Sequence, residues 1–302
     1  MVYDILIVGS GPAGITASIY AARSQKSVLV LEKQAFGGLI INSPKIENYP
    51  GFNSISGLEL ADKFVVQAMD LGVCFEFDEI LKVEKENDLY KLTGEYNEYL
   101  GKTLIIATGS KHRKLNLENE DNLTGHGVSY CAVCDGPFYK GQDVVIVGGG
   151  NSAMQEAILL SSYCTSVTMV QNLEKLTGES SSYETIKNTP NIKVLYNKKV
   201  IKLNGEKNLE SIVIEDQKTK EQEVINTKSV FVAIGQVANN DVFNEICKLD
   251  NNGFIITNEL CEVNNEGVYA AGDCRQKRIR QVSTAISDGT IAAVRAIEYL
   301  EK

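Results

Sequence analysis

The chain has 302 residues, 43% of them hydrophobic, which is enough to bury a sizeable core in one large or two ordinary domains. A formal net charge of -9 argues against nucleic acid or an anionic membrane as the main partner, because both select a positively charged face. The seven cysteines are odd in number and, apart from Cys131 and Cys134, stand singly at 74, 164, 247, 261 and 274, which is not the framework of a disulfide-stapled secreted domain.

The opening MVYDILIVGS runs straight into an apolar strand with no basic leader, and no apolar run is long enough to span a bilayer, so a cytoplasmic protein without membrane contact is expected. The strand ends in GSGPAG, where Gly9, Ser10, Gly11, Pro12, Ala13 and Gly14 form a complete GxGxxG before a helix. Such a turn lets backbone approach a pyrophosphate and points unpaired N–H groups of the helix at it. SVLVLE, the next strand, ends at Glu32 beside Lys33, eighteen residues past Gly14, where a carboxylate can accept a ribose hydroxyl. An adenine dinucleotide is expected here; the competing reading is that the glycines only permit tight strand-helix packing. Alternating residues between Asn87 and Lys102 predict antiparallel strands, and the segment closes on the apolar LIIATG.

The same plan recurs about 140 residues later. QDVVIVGGGNSAMQEAILLSS again reads as strand, glycine turn and helix, with Gly148, Gly150, Asn151, Ser152 and Ala153 as a second nucleotide site. NLESIVIEDQKTKEQEVINTKSVFVAIG supplies another β-ribbon and another apolar strand ending in glycine. GVYAAGDCR then places Gly272 and Asp273 after a strand, and RQVSTAISDGTIAAVRAIEYL is helical by period. The resulting expectation is an α/β fold of two Rossmann-like, three-layer ββα-type dinucleotide-binding domains, the second inserted in the first. Borders in the polar segments assign residues 1–114 with 241–302 to the outer domain and 115–240 to the inserted one.

Between the two plans stands SYCAVCDGPF, in which Cys131 and Cys134 are followed by Asp135. Three readings compete. A zinc site needs four ligands, and with His112 and His126 as the only histidines and no second cysteine pair the set is short, so no metal is expected. Buried inert thiols are the second reading. The third is a redox pair: a CxxC turn brings two sulfurs to bonding distance, and the adjacent carboxylate can move the proton that dithiol exchange requires.

GSGPAG with Glu32, ENYPG at 47–51, ATG at 107–109, CAVCDG at 131–136, GGGNSA at 148–153 and AAGD at 270–273 occur in one order. In this the chain strongly resembles, over essentially its whole length, the low-molecular-weight thioredoxin reductases. The resemblance implies FAD on the first domain, a nicotinamide dinucleotide and the CxxC on the second, thioredoxin or a thioredoxin-like protein as partner, and a homodimer. It implies that Cys134 faces the flavin, Cys131 attacks thioredoxin and Asp135 is the acid-base group. By the same resemblance Gly38, Leu39, Asn48, Thr108, Gly109, Arg280, Gln281 and Val282 join the FAD site, with Leu39 where many relatives have glutamine.

One departure bears on the electron donor. NADPH-using members carry HRRxxxR after the second nucleotide strand, where this chain has Gln171, Asn172, Leu173 and, last, Thr177. Charge-assisted hydrogen bonds contribute about 1.5 to 3 kcal/mol each, so NADPH is expected to bind weakly and NAD(P)H occupancy stays open. NADH, ferredoxin or another low-potential carrier are the candidate donors, with Glu174 the nearest acid to a ribose and the basic runs KHRK and KRIR available to steer an acidic protein. The expected activity is thioredoxin-disulfide reduction; the alternatives are a flavin-dependent dithiol oxidase and a flavin redox sensor without turnover.

Overall fold

The computed structural model describes residues 1–43 and 45–302, which form two compact units, Met1–Lys111 with Val237–Lys302 and His112–Gln236. The first unit begins with β1 (Val2–Val8), α1 (Pro12–Arg23), β2 (Val28–Glu32), α2 (Gly57–Asp70) and β3 (Cys74–Phe77). The antiparallel strands β4 (Ile80–Glu86), β5 (Leu89–Gly94) and β6 (Glu98–Ile106) follow. The sheet order is β3-β2-β1-β6-β5-β4, with β1 parallel to both β2 and β6. Successive side chains on a strand point to opposite faces, so Ile5 and Ile7 of β1 pack with α1 while Leu6 and Val8 line a separate core with Leu29, Leu31 and Leu104. Both faces are buried, which explains why β1 and β2 read as continuous apolar runs rather than alternating ones.

The chain crosses between the units at β7 (Lys111–His112), at the start of the polar segment and a few residues before the expected border after residue 114, because the crossing segment is itself paired as a strand. Then come α3 (Glu120–Leu123), β8 (Val128–Ser129), α4 (Ala132–Asp135), β9 (Asp143–Val147), α5 (Asn151–Ser161) and β10 (Ser166–Val170). The unit continues through α6 (Ser180–Lys187), β11 (Ile192–Leu195), β12 (Lys198–Asn204), β13 (Ser211–Asp216), β14 (Gln222–Asn226), β15 (Val230–Val232) and the returning strand β16 (Gln236–Val237). A five-stranded sheet, β11-β10-β9-β15-β8, carries α5 on one face, where Ala153, Ala157 and Leu160 meet Val144, Ile146 and Met169. The three-stranded β12-β13-β14 sheet belongs to the other core, through Val200, Ile212 and Ile214 against Val145 and Val147.

Back in the first unit, β17 (Val268–Ala270) adds to β6 in parallel, and the long helix α7 (Val282–Leu300) lays Ala285, Ala292, Ala293 and Ala296 on the same core as α1. The fold is therefore α/β with two Rossmann-like units. Among the described residues no helix is long and apolar enough to cross a membrane.

Asp78, only 3% exposed, anchors the β-ribbon to the first sheet. Its carboxylate accepts the backbone N–H groups of Glu95 at 2.7 Å, Tyr96 at 3.2 Å and Asn97 at 3.0 Å, and the Tyr99 hydroxyl at 2.9 Å. Stranding a buried donor costs about 1 to 3 kcal/mol. Asp78→Ala should therefore lower the unfolding free energy of the first unit by about 3 kcal/mol or more, read as a lower denaturant midpoint at unchanged slope.

Candidate active site

In the first unit the glycine turn is built by lack of space. Gly9 has φ +105°, and a Cβ there would lie 2.3 Å from the Ala107 carbonyl oxygen; at Gly14 it would lie 1.9 Å from the Gly9 oxygen. Gly11 differs, since a Cβ there would meet only Gly38 Cα at 3.9 Å, so the turn has an open side where a phosphate can approach backbone. Pro12, Ala13 and Gly14 begin α1 below that side. Glu32, at the end of β2, accepts from the Ser10 N–H at 2.9 Å and the Ser10 hydroxyl at 2.8 Å. Its other oxygen takes the N–H groups of Lys33 at 2.8 Å and Gln34 at 3.0 Å. A cavity of about 130 Å³ opens between Gly9, Glu32, Lys33, Thr108 and Gly109.

The C-terminal part of this unit brings the remaining residues to the same sheet end. Asp273 follows β17 in a short turn whose Gly272 has φ +81°. Its Oδ1 is buried and accepts no hydrogen bond among the described residues, and burial pushes its carboxyl up from the ordinary value against the pull of Lys277 and Arg280. Asn48 donates to Gln281 Oε1 at 3.1 Å, and Gln281 caps α7, while Val282 packs on Ile46, Ile55 and Leu60. Leu39 is 49% exposed in a one-turn helix after Gly38. An open glycine turn, an acid at the next strand end and a buried carboxylate oxygen of Asp273 without a hydrogen bond among the described residues fit a dinucleotide such as FAD. The basic run KRIR is not a surface patch as expected. Lys277 pairs with Asp288 at 2.9 Å, and the Arg280 guanidinium lies 4.3 Å above the Phe254 ring, because both side chains are drawn inward to carboxylates and an aromatic face.

The second unit holds the cysteines. Cys131 and Cys134 are bonded to each other, with Cα atoms 5.3 Å apart, across the single turn α4. Asp135 ends that turn, and its Oδ2 accepts the Ser129 hydroxyl at 2.6 Å. Ser129 is buried, and its oxygen also accepts the Cys131 N–H at 3.1 Å, so one hydroxyl ties the carboxylate to the first cysteine. Burial pushes the Asp135 carboxyl up from the usual value while the Ser129 hydroxyl opposes the rise, which suits a group that must both hold and release a proton. Gly136 leaves room for Tyr163, whose hydroxyl would sit 2.2 Å from a Cβ there.

Two of these participants escape a reading of the chain by motif. Ser129 belongs to no recognised pattern, although a small hydroxyl two residues before the cysteine was visible. Glu156 lies on α5 beside the inward-facing Ala153, Ala157 and Leu160, and a carboxylate at that helical phase is the signal that could have found it. Burial raises its pKa to about 7 even though the Ala132 N–H donates to it.

The second glycine turn is open at the position that matches Gly11, since a Cβ on Gly150 would meet only Thr177 Oγ1 at 3.9 Å. Gly148 has φ +134°, and a Cβ on Gly149 would lie 2.4 Å from the buried Gln171 side chain. Gln171 donates to the Lys175 carbonyl at 3.0 Å and accepts the Asn172 N–H at 3.1 Å. Thr177 N–H reaches the Gly149 oxygen at 2.8 Å, and Asn151 accepts the Glu179 N–H at 2.6 Å. Glu174 is turned to Lys218 at 2.5 Å rather than to the turn. Gly150 and the exposed Asn151 and Ser152 remain at the surface, with Ala153 buried beneath.

The chain belongs to the pyridine nucleotide-disulphide oxidoreductase family, whose profile matches residues 3–289, and within it has the fold of the low-molecular-weight thioredoxin reductases. It is 38% identical over its full length to a thioredoxin reductase of Ureaplasma parvum, covering 98% of that protein. It is 41% identical to the 34.2 kDa protein in rubredoxin operon of Clostridium pasteurianum, with 98% of this chain and 97% of that one covered. The crystal structure of thioredoxin reductase from Streptococcus pyogenes superimposes with a TM-score of 0.95 at 38% identity, covering 99% of this chain and 98% of that one.

Because the folded value of Glu156 lies above its ordinary 4.5, the folded state keeps a proton that the unfolded chain releases between about pH 4.5 and 7. Stability from this group is greatest at low pH and is lost across that window, by at most about 3 kcal/mol. Glu156→Gln should flatten the fall in unfolding temperature on going from about pH 5 to about pH 8, measured against wild type by thermal melts.

Proposed function

We propose that the protein is a thioredoxin-disulfide reductase: the first unit binds FAD, the second carries the redox centre in a pyridine-nucleotide-type domain, and electrons leave through Cys131 and Cys134. The observation that carries this reading is the bonded cysteine pair with a half-buried carboxyl held beside it by Ser129. Bound FAD supplies a two-electron centre that takes reducing equivalents from the donor and hands them to the disulfide. Two electrons and two protons open the Cys131–Cys134 bond, and Asp135 holds the proton exchanged with the second sulfur. Cys131 as thiolate then attacks the disulfide of thioredoxin or a thioredoxin-like protein, and one substrate sulfur leaves as a thiol. Asp135 takes the proton of Cys134, whose sulfur attacks Cys131, restoring the intramolecular disulfide and releasing the second substrate thiol.

The donor is not NADPH in the usual way. Where an arginine clamp would fork onto a 2'-phosphate, Gln171 is folded inward under Gly149, Asn172 and Leu173 carry no charge, and Thr177 bonds the glycine turn. Glu174, occupied by Lys218, does not provide the acid of an NADH site either. A reduced ferredoxin near -400 mV could drive thioredoxin near -270 mV with about 6 kcal/mol to spare per two electrons. The five remaining cysteines are free thiols, in keeping with a cytoplasmic setting. The exposed Leu58, Val66 and Met69 on α2 give a homodimer an apolar face.

Anaerobic mixing of the purified flavoprotein with NADPH, NADH or reduced ferredoxin, followed by flavin absorbance, tests the donor. Bleaching with reduced ferredoxin and none with micromolar NADPH is expected; rapid bleaching by micromolar NADPH would sink the donor assignment.

A further inference from the structure

Four charged side chains crowd the turn before α7. Lys277 Nζ stands 2.9 Å from Asp288 Oδ2 and 3.3 Å from the Thr284 hydroxyl, but 3.8 Å from Asp273 Oδ1. Asp288 is buried on α7 and uses both oxygens, taking Arg275 at 3.1 Å on Oδ1 and the Gly272 N–H at 3.1 Å on Oδ2 beside Lys277. Asp273 Oδ1 is buried with no hydrogen bond among the described residues, although a lysine lies within an ångström of donating one. A buried carboxylate oxygen next to a cation pairs with it unless something holds the cation back. Among the described residues the only carboxylate closer to Lys277 is Asp288, and Thr284 steadies the ammonium from the same helix.

We propose that Asp288 is a positioning residue for the flavin site: by holding Lys277 it keeps Asp273 Oδ1 open as an acceptor for a hydroxyl of the FAD ribityl chain. The proposal rests on the FAD assignment and adds to it a competition between a protein cation and a cofactor hydroxyl for one oxygen. Removing the Asp288 charge leaves Asp273 as the nearest carboxylate for Lys277. The lysine then closes the acceptor, and FAD loses a charge-assisted hydrogen bond. Asn at 288 keeps an oxygen for the Gly272 N–H, so the turn itself survives the exchange.

The experiment is a dilution series of the full-length holoprotein, with released FAD read by its fluorescence, in wild type, Asp288→Asn, Lys277→Met and the double variant. Asp288→Asn should raise the FAD dissociation constant about 10- to 100-fold, the loss of one hydrogen bond to a charged group. The double variant should return most of that loss, and Lys277→Met alone should hold FAD at least as tightly as wild type. A merely structural Asp288 would give a double variant as weak as Asp288→Asn or weaker, and that result, or an unchanged dissociation constant in Asp288→Asn, overturns the proposal. Should Asp288→Asn fail to fold, release of FAD from Lys277→Met more readily than from wild type overturns it independently. A wild-type protein that neither carries nor takes up FAD would bring down the flavin assignment itself, an outcome distinct from all of these.

Discussion

The first unit depends on how closely α1 and α7 approach over Ala13. A Cβ on Gly289 of α7 would lie 2.2 Å from the Ala13 carbonyl oxygen, and one on Gly272 would lie 2.8 Å from the Ala13 side chain. No residue with a side chain allows backbone and helix to meet at that distance. The contact sets the C-terminal turn, with Asp273 in it, against the N-terminal glycine turn, although some 260 residues separate them in the chain. The alanines of α7 at 285, 292, 293 and 296 extend the same narrow packing along the helix. A dinucleotide site drawn from both ends of the sequence follows from that one steric constraint.

The second unit repeats the architecture and treats its glycine turn differently. Gly11 and its counterpart Gly150 both face open space, but Gly149, the counterpart of Ser10, is covered by the neutral Gln171 where Ser10 in the first unit meets the carboxylate of Glu32. The cover is a complete local network: Gln171 satisfies the amide of Asn172 and the carbonyl of Lys175, and Thr177 closes on Gly149 from the other side. The network fixes the loop beside the turn and puts no charge where a 2'-phosphate would lie. The redox centre sits on a short turn whose partners, the buried Ser129 and the half-buried Asp135 and Glu156, are all within its own unit.

Much of the molecule is legible along the chain because the signals are local. Apolar runs of strand length, GxGxxG at a strand-helix junction, an acid at the next strand end and CxxC followed by aspartate each need only a few consecutive residues to state their chemistry. The doubled pattern and the inserted arrangement follow from the same local signals repeated. KRIR shows where that logic fails: its three cations, which read as a basic surface patch, are divided between a buried ion pair at Lys277, a cation-aromatic contact at Arg280 and an exposed Arg278. Composition reports charge, and the direction of a side chain depends on what folds against it.

Spacing and periodicity were sufficient for the two nucleotide folds and the cysteine pair with its acid, since each is written in neighbouring residues, while the missing arginine clamp was legible only through the resemblance to the thioredoxin reductases. Packing alone decided that Gln171 turns beneath Gly149, that Ser129 bridges Asp135 and Cys131, that Glu156 accepts the Ala132 N–H, and that Asp288 rather than Asp273 holds Lys277. These are contacts whose partners come from separate elements or opposite sides of a turn, and their energies depend on burial and ångström-scale distances. No pattern in a linear chain encodes such distances before the sheets and helices have closed.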